Sequence, residues 1–425
     1  MLLAVVLTLL DRSIMGYGWI AAGMAVGAVV GATLALKIQM TAMPQMVALL
    51  NGFGGLASAV VAGAAMVAAS ASATASEVLP VSVSVAAAAS GLIGAITLSG
   101  SLVAFAKLQE LLKGAPVLLP YRHLLNAGLA LSALGAAAWV VLGTSMPLAY
   151  ALLAVLALGL GALLVLPVGG ADMPVVIALL NAFSGLAAAA TGFVIDNTVL
   201  IIAGSLVGSS GVILTRLMCR AMNRSLTNVI FGVMASGDSG SADRSAYDGK
   251  VKSTSGEEVA MLLDAARRVV IVPGYGLAVA QAQHAVRELT DQLVRRGKEV
   301  EFGIHPVAGR MPGHMNVLLA EAEIPYERLK DMDQINPTFS HTDVVLVIGA
   351  NDVVNPLART DPTGPIGGMP ILNVDEARTV VVIKRSLSPG YAGIDNPLFA
   401  SDKTLMLFAD AKKGLNDVVA SLSEL

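Results

Sequence analysis

The chain has 425 residues, only 13% of them charged, with a mean hydropathy of +0.74 and a formal net charge of −3. Such hydropathy excludes a wholly soluble protein and demands membrane spans. No basic patch suggests nucleic acid, and a single cysteine, Cys219, excludes an intramolecular disulfide framework and fits a reducing compartment.

Met1 to Leu10 is apolar but too short to span alone. No basic n-region or cleavage site follows, so a signal peptide is not expected. A start inside a span suggests a truncated beginning or helices supplied by a partner. Seven later runs are long enough to cross a bilayer: Tyr17 to Leu36, Pro44 to about Ala69, about Ala88 to Ala106, His123 to Leu142, Pro147 to Leu166, Met173 to Val194 and Val199 to Met218. Lys37, then Lys107, Lys113 and Arg122, then Arg216, Arg220 and Arg224 mark alternate ends of successive spans, which places those ends in the cytoplasm. The opposite loops, around Asp11, Glu77, Gly143 and Asp196, hold only Arg12, with Tyr17, Trp19, Trp139 and Tyr150 near that edge.

The membrane half contains a parallel repeat. TAMPQMVALLNGFGGLAS from Thr41 matches ADMPVVIALLNAFSGLAA from Ala171, and SGSLVAF from Ser99 echoes AGSLVGS from Ala203. Shared ancestry without chemical meaning is one reading; the other sets Asn51 and Asn181 face to face across a polar core. Gly23, Gly27 and Gly31, and Gly204 and Gly208, recur every four positions, a spacing that lets helix backbones approach closely. Gly208-Ser209-Ser210-Gly211 packs in the same way or serves as a hinge. Asp172 opens a span, where it caps the helix or joins a proton path.

The expected organisation is a helix bundle over 1–230, a flexible linker over 231–256 and an α/β domain over 257–425. Ala235 to Ser255 is Ser, Gly, Asp and Ala without apolar period, and about twenty such residues have an r.m.s. span of roughly 25 Å. Glu257 to Arg267 reads as an amphipathic helix, and Val269 to Val272 as a buried strand. Gly274 and Gly276 follow, then one helical pattern through Leu277, Ala280, Ala285, Val286, Leu289 and Leu293, closed by Gly297. Val300 to Ile304 is a second strand, and Gly313 to Glu323 a helix. Val344 to Ile348, Pro370 to Val374, Val380 to Ile383 and Leu405 to Phe408 are further strands, before a helix from Ala411. Strands alternating with helices imply a doubly wound parallel sheet of Rossmann-like type.

Strand, glycine turn, helix and strand form a unit whose glycines let backbone approach a pyrophosphate. Gly-x-Gly alone is a weak motif, and Val279 stands where a third small residue is usual. The second strand ends in Gly303-Ile304-His305-Pro306, with Arg310 beyond and no carboxylate for a ribose 2′-hydroxyl. Another ends in Lys384-Arg385-Ser386, two cations and a hydroxyl suited to a phosphate monoester. Together they favour NADP over NAD; a solvated basic loop is the plainer reading. Asn351-Asp352 ends a strand where ligands of open sheets bind, although Asp352 would also suit a helix cap.

These motifs carry a close resemblance. GGADMPVVIALLNAFSG, GSLVGSSG, MCRAMNRS, PGYGLAVAQAQ, FGIHPVAGRMPGHMNVLLAEA, VLVIGANDVVNP, KRSLSPGYAGIDNPLF and FADAK resemble the beta subunit of proton-translocating NAD(P) transhydrogenase over essentially the whole chain. The resemblance implies an NADP(H)-binding C-terminal domain that exchanges hydride with NAD(H) on a separate alpha subunit, coupled to proton movement through the membrane part. It implies Gly274, Tyr275, Gly276, Ala278 and Val279 in the dinucleotide loop. His305, Pro306, Val307, Ala308, Gly309, Arg310, Met311 and Pro312 would line the cleft. Gly349, Ala350, Asn351 and Asp352 would lie by the nicotinamide, with Asn351, Asp352 and Arg310 nearest the chemistry. Lys384, Arg385 and Ser386 would hold the 2′-phosphate, under a lid of Gly390, Tyr391, Ala392 and Gly393. Asn51, Asp172, Asn181, Gly208, Ser209, Ser210 and Gly211 would serve proton coupling. Many relatives carry a mid-membrane histidine where this chain has Asn51, and in relatives with a split alpha subunit that histidine lies on a partner's span. The resemblance further implies a multi-pass subunit of the cytoplasmic (inner) membrane, in a dimer of alpha–beta units. Two rivals stand beside it: a channel or transporter gated by an NADP(H)-sensing domain without redox chemistry, and a flavin or haem oxidoreductase.

Overall fold

The computed structural model describes residues 17–72, 80–109, 111–112, 117, 119–143, 146–231, 247, 250–390 and 392–425. Met1 to Leu10 and the linker residues 232–246 and 248–249 lie outside the described residues. Helix α1 (Tyr17–Lys37) belongs to one compact unit and everything from Pro44 onward to a second. The next six helices are α2 (Met43–Ser72), α3 (Val81–Leu108), α4 (Arg122–Leu142), α5 (Met146–Val165), α6 (Met173–Val194) and α7 (Thr198–Ala221). Among the described residues these seven are long and apolar enough to cross a membrane, as the hydropathy runs predict. Helix α3 starts at Val81 rather than near Ala88, because Ser84 and Ala87 are buried in its first turns. Packing there extends the helix beyond its most apolar window. A short helix, α8 (Leu226–Phe231), follows the bundle.

The sequence repeat is also a structural one. A 3-10 turn, Met40–Ala42, leads into α2 at Met43, and a second, Gly170–Asp172, leads into α6 at Met173. Gly55 and Gly185, equivalent in the two copies, both sit where helix backbones touch. A Cβ on Gly55 would come 2.6 Å from the Gly94 carbonyl oxygen, and one on Gly185 2.8 Å from that of Gly204. Helix α7 runs unbroken through 208–211, and a Cβ on Gly211 would lie 2.7 Å from the Ala182 nitrogen of α6. The run therefore packs and does not hinge in this structure, while the Ser210 hydroxyl bonds back to the Val207 carbonyl at 3.0 Å.

The C-terminal part is a seven-stranded, wholly parallel sheet in the order β1-β7-β6-β5-β2-β3-β4, flanked by helices. Its strands are β1 (Lys252–Ser253), β2 (Arg268–Pro273), β3 (Glu299–Gly303), β4 (Leu329–Lys330), β5 (Val344–Ile348), β6 (Thr379–Lys384) and β7 (Thr404–Phe408). Every residue of β5, and all of β2 after Arg268, is buried, which explains their unbroken runs of Val and Ile. Helix α9 (Gly256–Ala265) starts in a capping box: the Ser255 hydroxyl accepts from the Glu258 N–H, and the Glu258 carboxylate accepts from the Ser255 N–H.

Two sequence expectations fail here. Pro370 to Val374 is not a strand, because β5 is already flanked by β2 and β6 and offers no edge. Ile371 and Leu372 are buried, but their backbone groups pair with the Asn336 amide and the Val353 carbonyl. The helix after Gly274 is not continuous either. It divides into α10 (Tyr275–Val279) and α11 (Gln283–Arg295) around Gln281, whose φ of 50° is left-handed. The remaining helices used below are α12 (His314–Glu321), α13 (Met332–Ile335), α14 (Leu357–Thr360) and α15 (Ala411–Glu424).

The sheet meets the bundle at its basic end. Arg310 donates to the Leu108 carbonyl that ends α3 at 3.2 Å, and Asn223 donates to the Gly367 carbonyl at 2.8 Å. Val175 and Val176 of α6 lie in one buried apolar set with Val272 of β2 and Val347 of β5.

Candidate nucleotide site and membrane polar groups

The chain builds β2, β3 and β4 outward in one direction, then returns to build β5, β6 and β7 in the other. The crevice beyond the carboxyl ends of β2 and β5 is thus the switch point at which open α/β sheets take ligands. Two glycine loops interlock there. The Gly274 N–H donates to the Ile348 carbonyl at 2.8 Å and the Gly276 N–H to the Gly349 carbonyl at 2.9 Å. A Cβ on Gly276 would lie 2.7 Å from the Gly349 Cα, and Gly349 adopts a φ of +63°. Ala278 is buried inside the short helix while Val279 is 51% exposed on the cleft. Val279 therefore does not obstruct close packing, despite standing in the place of a small residue.

A cleft of about 520 Å³ opens above the interlock. Tyr275, Gly276 and Val279 form one wall and Lys384, Arg385 and Ser386 another, with Ala409, Asp410 and Ala411 at the far end. That last trio was missed from sequence. Its signal was an aspartate after a strand and before a helix: the Asp410 carboxylate caps α15 by accepting from the Lys412 N–H at 3.1 Å. Arg385 and Ser386 are exposed to the cleft. Lys384 differs: it is half-buried, its ammonium donates to the Ser388 carbonyl and lies 5.1 Å from the Phe399 ring centre. Burial pushes it down to about 8, against the opposing pull of Asp352.

Asp352 is 1% exposed, beneath the segment expected to act as a lid. It begins a 3-10 turn without capping it; its Oδ2 accepts from the Ala392 N–H at 3.1 Å. A Cβ on Gly390 would come 2.6 Å from the Asp352 carboxyl carbon, so any larger residue there would have to push the carboxylate aside. Turned so that its oxygen faces donors, the Asn351 amide accepts from the Gly390 N–H at 2.8 Å and the Lys384 ammonium at 3.0 Å. Gly393 is exposed with a φ of +69°, and Tyr391 lies outside the described residues. Asn396, not anticipated from sequence, is fully buried and donates to the Asn351 carbonyl at 3.0 Å.

The 305–312 segment supports the cleft more than it lines it. His305 is 1% exposed; its Nδ1 accepts from the Val307 N–H at 3.2 Å, which leaves the proton on Nε2 to donate to the Pro370 carbonyl at 2.8 Å. Burial pushes this imidazole down to about 4. Val307, Ala308 and Met311 are buried, and Pro312 is half-buried. Gly309, with a φ of +106°, lets the chain pass against the His314 ring, whose Nδ1 accepts from the Arg310 N–H at 3.1 Å. The Arg310 guanidinium stacks 4.4 Å from the Tyr275 ring centre. One guanidinium therefore touches the glycine loop and the end of membrane helix α3.

Within the bundle, Asp172 makes no cap. Its carboxylate, 3% exposed, pairs with the Arg224 guanidinium at 3.0 Å. Asn51 is buried on α2 and donates to the Ile177 carbonyl of α6 at 3.3 Å, one turn before Asn181. Among the described residues no hydrogen bond joins the Asn51 and Asn181 side-chain amides; Asn51 reaches the backbone of Ile177 instead. Sequence reading also passed over a hydroxyl cluster. Ser90 of α3 bonds Thr191 of α6 at 2.7 Å, and both reach the Ser58 carbonyl of α2.

A family model described as the NAD(P) transhydrogenase beta subunit matches residues 1–421. The chain belongs to that family. It is 50% identical over 425 residues to two proteins of Rhodospirillum rubrum, one from a designated strain, each called NAD(P) transhydrogenase subunit beta. In each comparison the match covers 100% of this chain and 91% of the relative. A transhydrogenase beta subunit is one part of an enzyme that acts on nicotinamide dinucleotides, and its name implies an alpha-subunit partner. With seven helices among the described residues able to span a bilayer, this beta subunit is a multi-pass membrane protein.

Proposed function

We propose that this chain is the NADP(H)-binding, membrane-embedded subunit of a proton-translocating transhydrogenase, with NAD(H) held by the alpha subunit. The observation that carries the reading is the cleft at the sheet's switch point, with bare glycine backbone on one wall and exposed Arg385 and Ser386 on another. The donor set fits the group: Arg385 and Ser386 would hold a 2′-phosphate monoester, and the strand β3 end offers no carboxylate to hold a free 2′-hydroxyl. Gly276 and Tyr275 would carry the pyrophosphate side, while Asn351 and Asp352 anchor the 390–393 segment over the cleft. When bound, NADP(H) supplies the hydride donor or acceptor.

The protein's own residues position and enclose. Arg310 holds Tyr275 and the α3 terminus together, so cleft geometry and helix position change jointly. Asp172 with Arg224, Asn51 and the Gly208–Gly211 packing seam are the membrane groups placed to couple proton movement to that site, with Asn181 one turn from the Asn51 contact. Coupling requires that proton binding favour one cofactor-affinity state over another. The basic ends of the helices lie where the sheet docks, which supports an inner-membrane orientation with the sheet in the cytoplasm.

The test is Arg385→Ala in the complete alpha–beta enzyme. NADP⁺ affinity by titration calorimetry is expected to fall roughly 10- to 100-fold, the range of a hydrogen bond to a charged group, with NAD⁺ binding unchanged. Equal losses for both nucleotides would move the 2′-phosphate elsewhere. Hydride transfer without proton flux in sealed vesicles would remove the coupling claim, and NADP(H)-dependent ion flux without hydride transfer would favour the gated-channel rival.

A further inference from the structure

The tether between bundle and sheet is polar and low in complexity, and Tyr247 is the one aromatic between Ala235 and Ser255. The structure gives that residue a specific seat. Tyr247, Val251, Leu387 and Ile394 all pack at the rim of the same buried apolar core. The Tyr247 hydroxyl accepts from the Asn396 backbone N–H at 2.7 Å. The charge of the nearby Asp395 carboxylate acts on the same hydroxyl. Burial, with Asp395 nearby, pushes the phenol up to about 12, so it stays neutral.

Asn396 belongs to the root of the segment that covers Asp352. Asn396 is fully buried; its Oδ1 accepts from the Leu398 N–H at 3.0 Å and its amide nitrogen donates to the Asn351 carbonyl at 3.0 Å. The Asp395 carbonyl accepts from Asn355, also fully buried, at 3.0 Å. Tether, segment root and the loop after β5 are thus tied in series, Tyr247 to Asn396 to Asn351. Just beyond Tyr247, β1 adds to the β7 edge of the sheet. Among the described residues the chain after the bundle meets the sheet through Tyr247, on the side of the proposed cleft, and through β1.

We infer that Tyr247 is a positioning residue for the dinucleotide site: through its hydroxyl it ties the membrane tether to the root of the 390–393 segment and so sets how firmly that segment holds NADP(H). The inference rests on the proposal that this cleft binds NADP(H). A pull on the tether reaches Asn351 through two hydrogen bonds, without passing through the glycine loop.

The experiment uses the purified alpha–beta enzyme with Tyr247→Phe, which removes the hydroxyl and keeps the ring in its seat. The expected result is NADPH release, followed by nucleotide fluorescence in stopped flow, that is roughly tenfold faster than in the parent, the scale of one or two hydrogen bonds. The KM for NAD(H) and the melting temperature should stay unchanged. Hydrogen exchange should quicken at the Asn396 amide and across 388–393 only. Parent-like NADPH release in Tyr247→Phe overturns the inference while leaving NADP(H) binding intact. Failure of the parent enzyme itself to bind NADPH overturns the site reading and this inference with it. If Tyr247→Phe folds poorly, exchange on the parent decides. An Asn396 amide unprotected when the 388–393 amides are protected would mean that the Tyr247 link is not made.

Discussion

Acidification offers a direct check on the 305–312 segment. His305 is buried and neutral, bonded at both nitrogens, with burial holding it near 4 against 6.5 for a free imidazole. Protonation would place a hydrogen on Nδ1 facing the Val307 N–H, donor against donor. The folded pKa lies below the unfolded one, so the unfolded chain binds more protons between the two values. Stability is therefore complete above about 6.5 and is lost as the pH falls toward 4. A shift of that size amounts to about 3 kcal/mol as an upper bound, lost at up to about 1.4 kcal/mol per pH unit. His305→Gln keeps an amide donor for Pro370 but cannot titrate, whereas His314 titrates in both proteins and cancels. Opening free energies of the β2, β3 and β5 amides, from native-state hydrogen exchange corrected for intrinsic rates between pH 7 and 4.5, read the difference. The variant should show the shallower slope. Equal slopes in the two proteins would refute a neutral, buried His305.

Other outcomes follow from the same geometry. Gly276→Ala sets a methyl against the Gly349 backbone, which no rotamer change can relieve, and should cost about 1–3 kcal/mol in thermal or denaturant stability; a parent-like melting curve would show that the loops separate freely. Because burial lowers Lys384 to about 8, its charge and its bond to Asn351 fade as the pH rises through that value. NADP⁺ affinity should accordingly weaken above about pH 8 in the parent but not in Lys384→Arg, and parallel calorimetric profiles would exclude Lys384 as the titrating group. Asn51→Ala removes one interhelical hydrogen bond, worth about 1 kcal/mol. It should depress proton pumping in vesicles more than NADP(H) affinity; unchanged pumping would make Asn51 structural.

Legibility from sequence was high where one physical term dominates. Membrane spans are set by length and apolarity, and β5 and the start of α15 fall where the sequence expects them. It failed where partners distant in sequence decide. Pro370 to Val374 has the composition of a strand, but the neighbouring edges were already occupied. Leu277 to Leu293 has a helical period, yet Gln281 turns left-handed and splits it. The site showed the same division. Arg385 and Ser386 line the cleft as their motif suggested, whereas Lys384 in the same motif turns inward toward Asn351. Asp172 could be read as a cap or as part of a proton path, and only the fold brings Arg224, 52 positions later, against it. Asn396 and Tyr247 carry no motif, and their roles exist only in three dimensions.

The interlock of Gly274 and Gly276 with Gly349 and Ala350 limits how the enzyme can change its grip on a nucleotide. Two backbones in contact, with no side chain between them to compress or rotate, have almost no travel. The loop that would face the diphosphate is in effect an anvil, and differences in affinity must arise from whatever closes onto it. On the proposed reading, the part left to move would be the stretch around Ala392 to Asn396, held by Asp352 on one side and by Tyr247 on the other. Selection for tighter or looser nucleotide retention in this family would then act on the hammer and its hinge while leaving the anvil alone.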